Sequence, residues 1–155
     1  MIGGDRDEAE SGGSADNFIE VRMSAKVVRV VAAVVEQEGK YLITQRRETA
    51  VLPLLWEFPG GKVEEGEGDE DALARELGER LGAVATVERK IGEQWHSYVG
   101  YDVCLVLYAT TLDPARPLTA RRVREFRWVA SSDFEKYRFP DADQATVDQL
   151  LGIGR

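Results

Sequence analysis

Gly61-Lys62-Val63-Glu64-Glu65-Gly66-Glu67-Gly68-Asp69-Glu70-Asp71-Ala72-Leu73-Ala74-Arg75-Glu76-Leu77-Gly78-Glu79-Arg80-Leu81-Gly82-Ala83 is the stretch on which the reading of this chain turns. Its second half carries Ala72, Leu73, Leu77 and Leu81 on one helical stripe, acids in the first turn, and Gly82 just past the last apolar residue, which predicts a helix over 69–81. Glu76 and Glu79, three apart, then share a face, and position 80 lies beside Glu76 on that face. Glu76 followed by Arg80 is also the favoured orientation of an i,i+4 ion pair, worth ~0.3 to 0.5 kcal/mol on an exposed helix. Gly78 costs ~1 kcal/mol against alanine inside such a helix. Glu64 and Glu65 read as a solvated turn leading into it, with a supply of further carboxylate oxygens to the helix face as the alternative.

On the amino-terminal side, 26–47 reads as a β-hairpin with its turn at Glu38-Gly39, because Val27 to Val35 and Tyr41 to Gln45 are β-branched or aromatic. The segment from Arg46 to Gly61, with Pro53, Pro59 and Gly60, reads as a long loop, and loops of that length in compact domains are usually functional. After the helix come strand-like runs over 84–95 and 101–111, a proline-punctuated loop over 113–117, and a short strand over 125–129. A helical turn is expected over 133–137 and a closing helix over 141–151. Strands interleaved with helices on a mixed sheet make an α/β sandwich the natural architecture.

The 155 residues suffice for one domain with a sizeable core, and 43% hydrophobic content is ordinary for a globular protein. The longest apolar run, Val30 to Val35, is too short to cross a bilayer, and no charged start followed by an apolar core marks a signal peptide, so a cytoplasmic protein without membrane association is expected. The single cysteine, Cys104, sits in an apolar run and reads as a buried thiol. A net charge of -8 argues against a nucleic-acid polymer as partner. Much of that charge is local, with Asp5, Asp7, Glu8, Glu10, Asp16 and Glu20 opposed only by Arg6, and residues 1–24 read as a disordered acidic tail ahead of a domain over 25–155.

The quoted stretch resembles the Nudix box, G-x5-E-x7-R-E-U-x-E-E-x-G-U with U aliphatic. Gly61, Glu67, Arg75, Glu76, Leu77, Glu79 and Gly82 hold their places, and the second acid of the E-E pair is replaced by Arg80. The resemblance, which spans roughly 26–151, implies an α/β/α sandwich with a mixed β-sheet. It implies metal-dependent hydrolysis of a nucleoside diphosphate-linked compound, with Mg2+ or Mn2+ as cofactor. Carried onto this chain, Glu76 and Glu79 take catalytic and metal roles, the Gly60 carbonyl joins them on the metal, and Lys62 contacts phosphate. Arg75 braces Glu67, and these two, with Gly61 and Gly82, are structural. Arg80 cannot be a metal ligand, because a guanidinium is permanently charged and accepts no hydrogen bond.

Trp56-Glu57-Phe58-Pro59-Gly60-Gly61-Lys62 is similar to the branch of that family which cleaves nucleoside triphosphates, oxidised-guanine and cytidine nucleotides among them. In that branch a late proline-containing segment presents an Asn or Asp to the base edge, and Asp143 in Phe139-Pro140-Asp141-Ala142-Asp143 stands there; it also suits an acid in the first turn of the last helix. Arg47, at the end of Gln45-Arg46-Arg47, stands where relatives place an arginine near base or phosphates, and equally suits a solvent-facing strand end. His96 reads as structural. Some relatives carry a further metal-binding glutamate before the strand that here holds Trp128, a place occupied by Arg121-Arg122-Val123-Arg124-Glu125. The expected partner is a small nucleotide, handled by a monomer or homodimer. A nucleotide-binding module with reduced or lost catalysis, and a nucleotide-sugar hydrolase, are the alternative readings.

Overall fold

A computed structural model describes residues 26–141 and 143. The first strand, β1 (Lys26–Val34), is apolar on both faces and takes a central place in a four-stranded sheet. It runs antiparallel to β5 (Gly60–Lys62) and parallel to β7 (Tyr101–Leu112), which is paired in turn with β6 (Ala85–Tyr98). A second four-stranded sheet joins β2 (Glu36–Gln37), β3 (Lys40–Gln45), β4 (Trp56–Glu57) and β8 (Glu125–Ala130), with β8 lying on β3. The α-helix α1 (Asp69–Leu81) covers one face, and a 3-10 turn over Ser131–Lys136 follows β8. None of the described helices is long and apolar enough to cross a membrane.

Two expectations about the strands are corrected. The hairpin is the short β2–β3 pair alone, turning through Glu38 and Gly39 at φ 52 and 79°, while β1 leaves for the other sheet. An almost unbroken apolar run gives no alternation from which that switch at Val35 can be read. The expected loop over 46–61 also contains β4 and β5, so its irregular part narrows to 46–55. The start of the expected closing helix is present at Asp141 and Asp143; the remainder of that helix and the expected tail lie outside the described residues.

The alternation of β1 and β7 builds two cores. Val31, Ala33, Cys104 and Val106 pack against Ala72, Leu73, Leu77 and Leu81 of α1. Ala32, Val34, Leu105 and Leu107 face Trp56, Phe58 and Phe134 on the opposite side. Leu73, Leu77 and Leu81 are fully buried, each worth about 1.5–3 kcal/mol, which fixes the rotation of α1 and hence where its polar face points. Gly82, in the left-handed region at φ 66°, closes the helix with its N–H donating to the Gly78 carbonyl at 2.9 Å.

The start of α1 is pinned to the sheet by charge. Asp69 accepts from Arg29 Nε and Nη2 at 2.8 and 2.7 Å and from the Tyr108 hydroxyl at 2.8 Å. The Arg29 hydrogen bond holds the Asp69 carboxyl below its usual range, whereas burial and the hydrogen bond to Asp69 push Tyr108 up to about 12. Asp69→Asn is expected to cost about 1–2 kcal/mol at neutral pH, allowing for the partial exposure of Arg29. A depressed carboxyl stabilises above its unfolded pKa and loses that contribution as pH falls through the folded one. Urea denaturation of both proteins should therefore show the gap at pH 7 shrinking below pH 3.8.

Candidate active site

The polar face of α1 forms one wall of a cleft of about 300 Å³. Glu76, Glu79, Arg75 and Arg80 come from the helix, Glu64 from the turn before it, Arg46, Arg47 and Ala50 from the irregular segment after β3, and Arg122 from the loop before β8. Arg46 organises its own segment: its N–H donates to the Leu55 carbonyl, its carbonyl accepts from Leu54 N–H, and its Nε donates to the Val51 carbonyl at 2.6 Å. The 113–124 loop is fastened to the carboxyl end of α1, where Thr119 N–H donates to the Leu81 carbonyl and both Arg121 and Arg122 N–H groups donate to the Arg80 carbonyl. Otherwise unpartnered helix-end carbonyls thus fix the backbone that carries Arg122.

Inside the cleft the charges alternate. Arg75 grips Glu67 with two hydrogen bonds, Nε to Oε2 at 2.7 Å and Nη2 to Oε1 at 3.0 Å, and its Nη1 reaches Glu76 Oε2 at 3.1 Å and Glu79 Oε1 at 3.3 Å. These bonds, with one from the Glu64 N–H, hold the Glu67 carboxyl below its usual range. Arg80 turns toward Glu76, Nε to Oε1 at 2.6 Å, with Nη1 3.9 Å from Glu57 Oε2. Arg122 Nη1 lies 3.3 Å from Glu79 Oε1. Glu76 is buried at 8% exposure because it lies directly on Gly61, where an added Cβ would fall 2.2 Å from its carboxyl carbon.

Beyond Arg80 lie two further acids, Glu57 and Asp143. Glu57, on β4, accepts from Arg46 Nη1 at 3.2 Å. Burial pushes its carboxyl up, against the lowering pull of Arg46 and Arg80. Asp143 is buried, its N–H donating to the Pro140 carbonyl at 2.9 Å. Burial above all, then the charge of Glu57, holds its carboxyl well above the usual range, against the lowering pull of Arg46. The approach is set by packing: Trp56 meets Tyr137 edge to face, Phe58 contacts Phe134 and Phe139, and Trp56 N–H donates to the Arg138 carbonyl at 2.7 Å.

Of the residues singled out from the sequence, Glu76, Glu79, Arg75, Arg80, Arg47 and Glu64 line the cleft. Lys62 is exposed at the end of β5 and meets α1 through its carbonyl, which accepts from Arg75 Nη2, so its ammonium lies outside the lining. Asp143 is outside it too, buried within the electrostatic reach of Glu57 and Arg46. Gly60 presses on β1, and Gly82 ends α1. His96 packs edge-on to Tyr98, 3.9 Å from Asp141, and Glu125 is held by Arg124 and Arg127. Arg46, Arg122 and Glu57 are the participants that sequence reasoning passed over. A charged residue between Trp56 and Phe58, in a strand with buried neighbours, is the signal that marks Glu57.

Whether the donors suit a divalent ion is a question of ligand chemistry. Among the described residues no three carboxylate, imidazole or thiol groups gather at one point. Magnesium is content with one or two carboxylates, retained waters and substrate phosphate oxygens. The neighbouring carboxylates Glu76 and Glu79 meet that requirement, although Arg75, Arg80 and Arg122 now hold their oxygens.

Residues 30–149 match the family described as NUDIX domain. The chain is 32% identical over 128 residues to the CTP pyrophosphohydrolase of Escherichia coli strain K12, covering 83% of this chain and 94% of that protein. It is 32% identical over 130 residues to the 8-oxo-dGTP diphosphatase of Haemophilus influenzae, covering 83% and 95%. The solution structure of the E. coli ORF135 protein superposes with a TM-score of 0.71 at 32% identity, over 84% of this chain and 92% of that one.

Proposed function

Because this chain belongs to the Nudix family of hydrolases, which generally use divalent cations, we propose that it cleaves a nucleoside triphosphate to a nucleotide and pyrophosphate, an oxidised guanine or a cytidine nucleotide being the preferred class. The observation that carries this reading is the cleft itself, where Glu76 and Glu79 stand beside Arg46 and Arg47. Glu76, Glu79 and the Gly60 carbonyl would hold magnesium or manganese. Such an ion, when bound, neutralises phosphate charge and acidifies water.

The protein's own groups divide the remaining work. Arg47 and Arg46 draw the phosphates into the cleft, Arg47 presenting a fork of donors at its mouth. Lys62 adds a mobile cation at the rim. Asp143 accepts from the amino or ring N–H groups of a base edge. Gly61, Glu67, Arg75 and Gly82 keep Glu76 and Glu79 where they stand. The same reading makes a small nucleotide the partner, not a nucleic-acid polymer, and places the protein in the cytoplasm as a monomer or homodimer.

One observation favours a second reading, a nucleotide-binding module without turnover: Arg80 already holds Glu76 Oε1 at 2.6 Å. Release of phosphate and pyrophosphate from a panel of nucleoside triphosphates, oxidised nucleotides and nucleotide sugars, with and without magnesium or manganese, separates the two. Metal-dependent release from the triphosphates is expected. Silence across the panel, with nucleotide binding retained, selects the module. Asp143→Ala is expected to change the ranking of bases by about tenfold, the worth of one hydrogen bond to a buried polar group, with metal affinity unchanged. An altered metal affinity would remove Asp143 from the base edge.

A further inference from the structure

In a chain of net charge -8, the cleft is lined by five guanidinium groups, those of Arg46, Arg47, Arg75, Arg80 and Arg122, against the three carboxylates Glu64, Glu76 and Glu79. Two of the five, Arg80 and Arg122, stand in the box position and in the loop where acids are expected by resemblance. Their side chains point inward. Arg80 bonds Glu76 Oε1 and Arg122 bonds Glu79 Oε1, so the helix carboxylates already have resident counter-cations. Neither arginine is used up by these contacts. Arg80 Nη1 has only Glu57 at 3.9 Å, and Arg122 remains 62% exposed. Among the described residues Arg47 has no carboxylate partner.

We propose that this cleft binds a polyphosphate chain without a divalent ion, with Arg47, Arg80 and Arg122 supplying the positive charge. The proposal rests on the nucleotide-hydrolase reading and separates binding from turnover within it. A guanidinium cannot lose its proton and donates pairs of N–H groups matched to two phosphate oxygens. Arg80 and Arg122 are each already held from both backbone and side chain, so little ordering remains when phosphate arrives. A divalent ion at Glu76 has to displace Arg80 first, whereas a phosphate does not.

The test is isothermal titration of inorganic tripolyphosphate into the full chain in EDTA, repeated with magnesium. Binding in EDTA is expected, with an affinity that falls steeply as salt is raised. Arg80→Glu and Arg122→Gln should each weaken it by about ten- to a hundredfold, as the loss of a charge-assisted hydrogen bond implies. Arg122 is exposed in a loop, so its variant remains informative if Arg80→Glu fails to fold. Binding seen only with magnesium, or unchanged affinity in Arg122→Gln, overturns the proposal. Nucleoside triphosphate hydrolysis is measured on the same preparations. Turnover with no tripolyphosphate binding in EDTA sinks this proposal alone, and binding without turnover upholds it while the hydrolase reading fails.

Discussion

Glu76→Gln lowers metal-dependent turnover a hundredfold or more, equivalent to about 2.7 kcal/mol of barrier, with little change in folding. The substitution keeps the volume and shape of a side chain pressed against Gly61 and removes only its charge. It deprives Arg75 and Arg80 of one partner each. Arg75 retains both Glu67 bonds, and Arg80 has Glu57 within 3.9 Å, so neither guanidinium is stranded. The expected signature is a collapse of kcat while the midpoint of thermal unfolding moves by a few degrees at most. Full activity in this variant and in Glu79→Gln together would place the chemistry somewhere other than α1. A fall in the unfolding midpoint as large as the fall in rate would mean that Glu76 is a structural ion-pair residue.

The second large effect separates two adjacent glycines. An added Cβ at Gly60 would lie 1.9 Å from the Val31 carbonyl oxygen and 2.7 Å from Ala32 Cα, both in the backbone of central β1. Neither can move without breaking the β1–β5 register. Gly60→Ala is therefore expected to cost about 3 kcal/mol, the upper end of ordinary overpacking, and to lower the unfolding midpoint by roughly 6–12 °C. At Gly61 the Cβ would instead meet the carboxyl end of Glu76 at 2.2–2.6 Å. That end can swing away, so Gly61→Ala leaves the fold largely intact and displaces the carboxylate. Thermal melts paired with rate measurements distinguish the two, and equal losses of stability in both variants would show that the Glu76 side chain is as immovable as β1.

The helix was readable because three signals coincide: the stripe of Ala72, Leu73, Leu77 and Leu81, the acids of its first turn, and Gly82. The division of 26–47 between two sheets was not, since β1 is apolar on both faces and alternation, the only local marker of pairing, is absent. For the cleft, spacing along α1 was enough to put Glu76 and Glu79 on one face. Arg46 and Arg122 meet there for a reason no local pattern records. The β3–β8 ladder sets Gln45 opposite Glu125, and Arg124 N–H donates to the Gln45 carbonyl, bringing together segments far apart in the chain. The exposure of Lys62, likewise, depends on the β1–β5 register and not on its neighbours in sequence.

What the fold asks of residue 80 is its carbonyl oxygen, to which the N–H groups of Arg121 and Arg122 both donate. Every amino acid has that oxygen. That backbone role is independent of the side chain, which meets Glu76 Oε1 at 2.6 Å and faces Glu57 at 3.9 Å, so an acid there would leave the loop anchored while bringing three carboxylates together. Residue 80 thus carries two separable duties, the anchoring of a loop through its backbone and the charge of the cleft through its side chain.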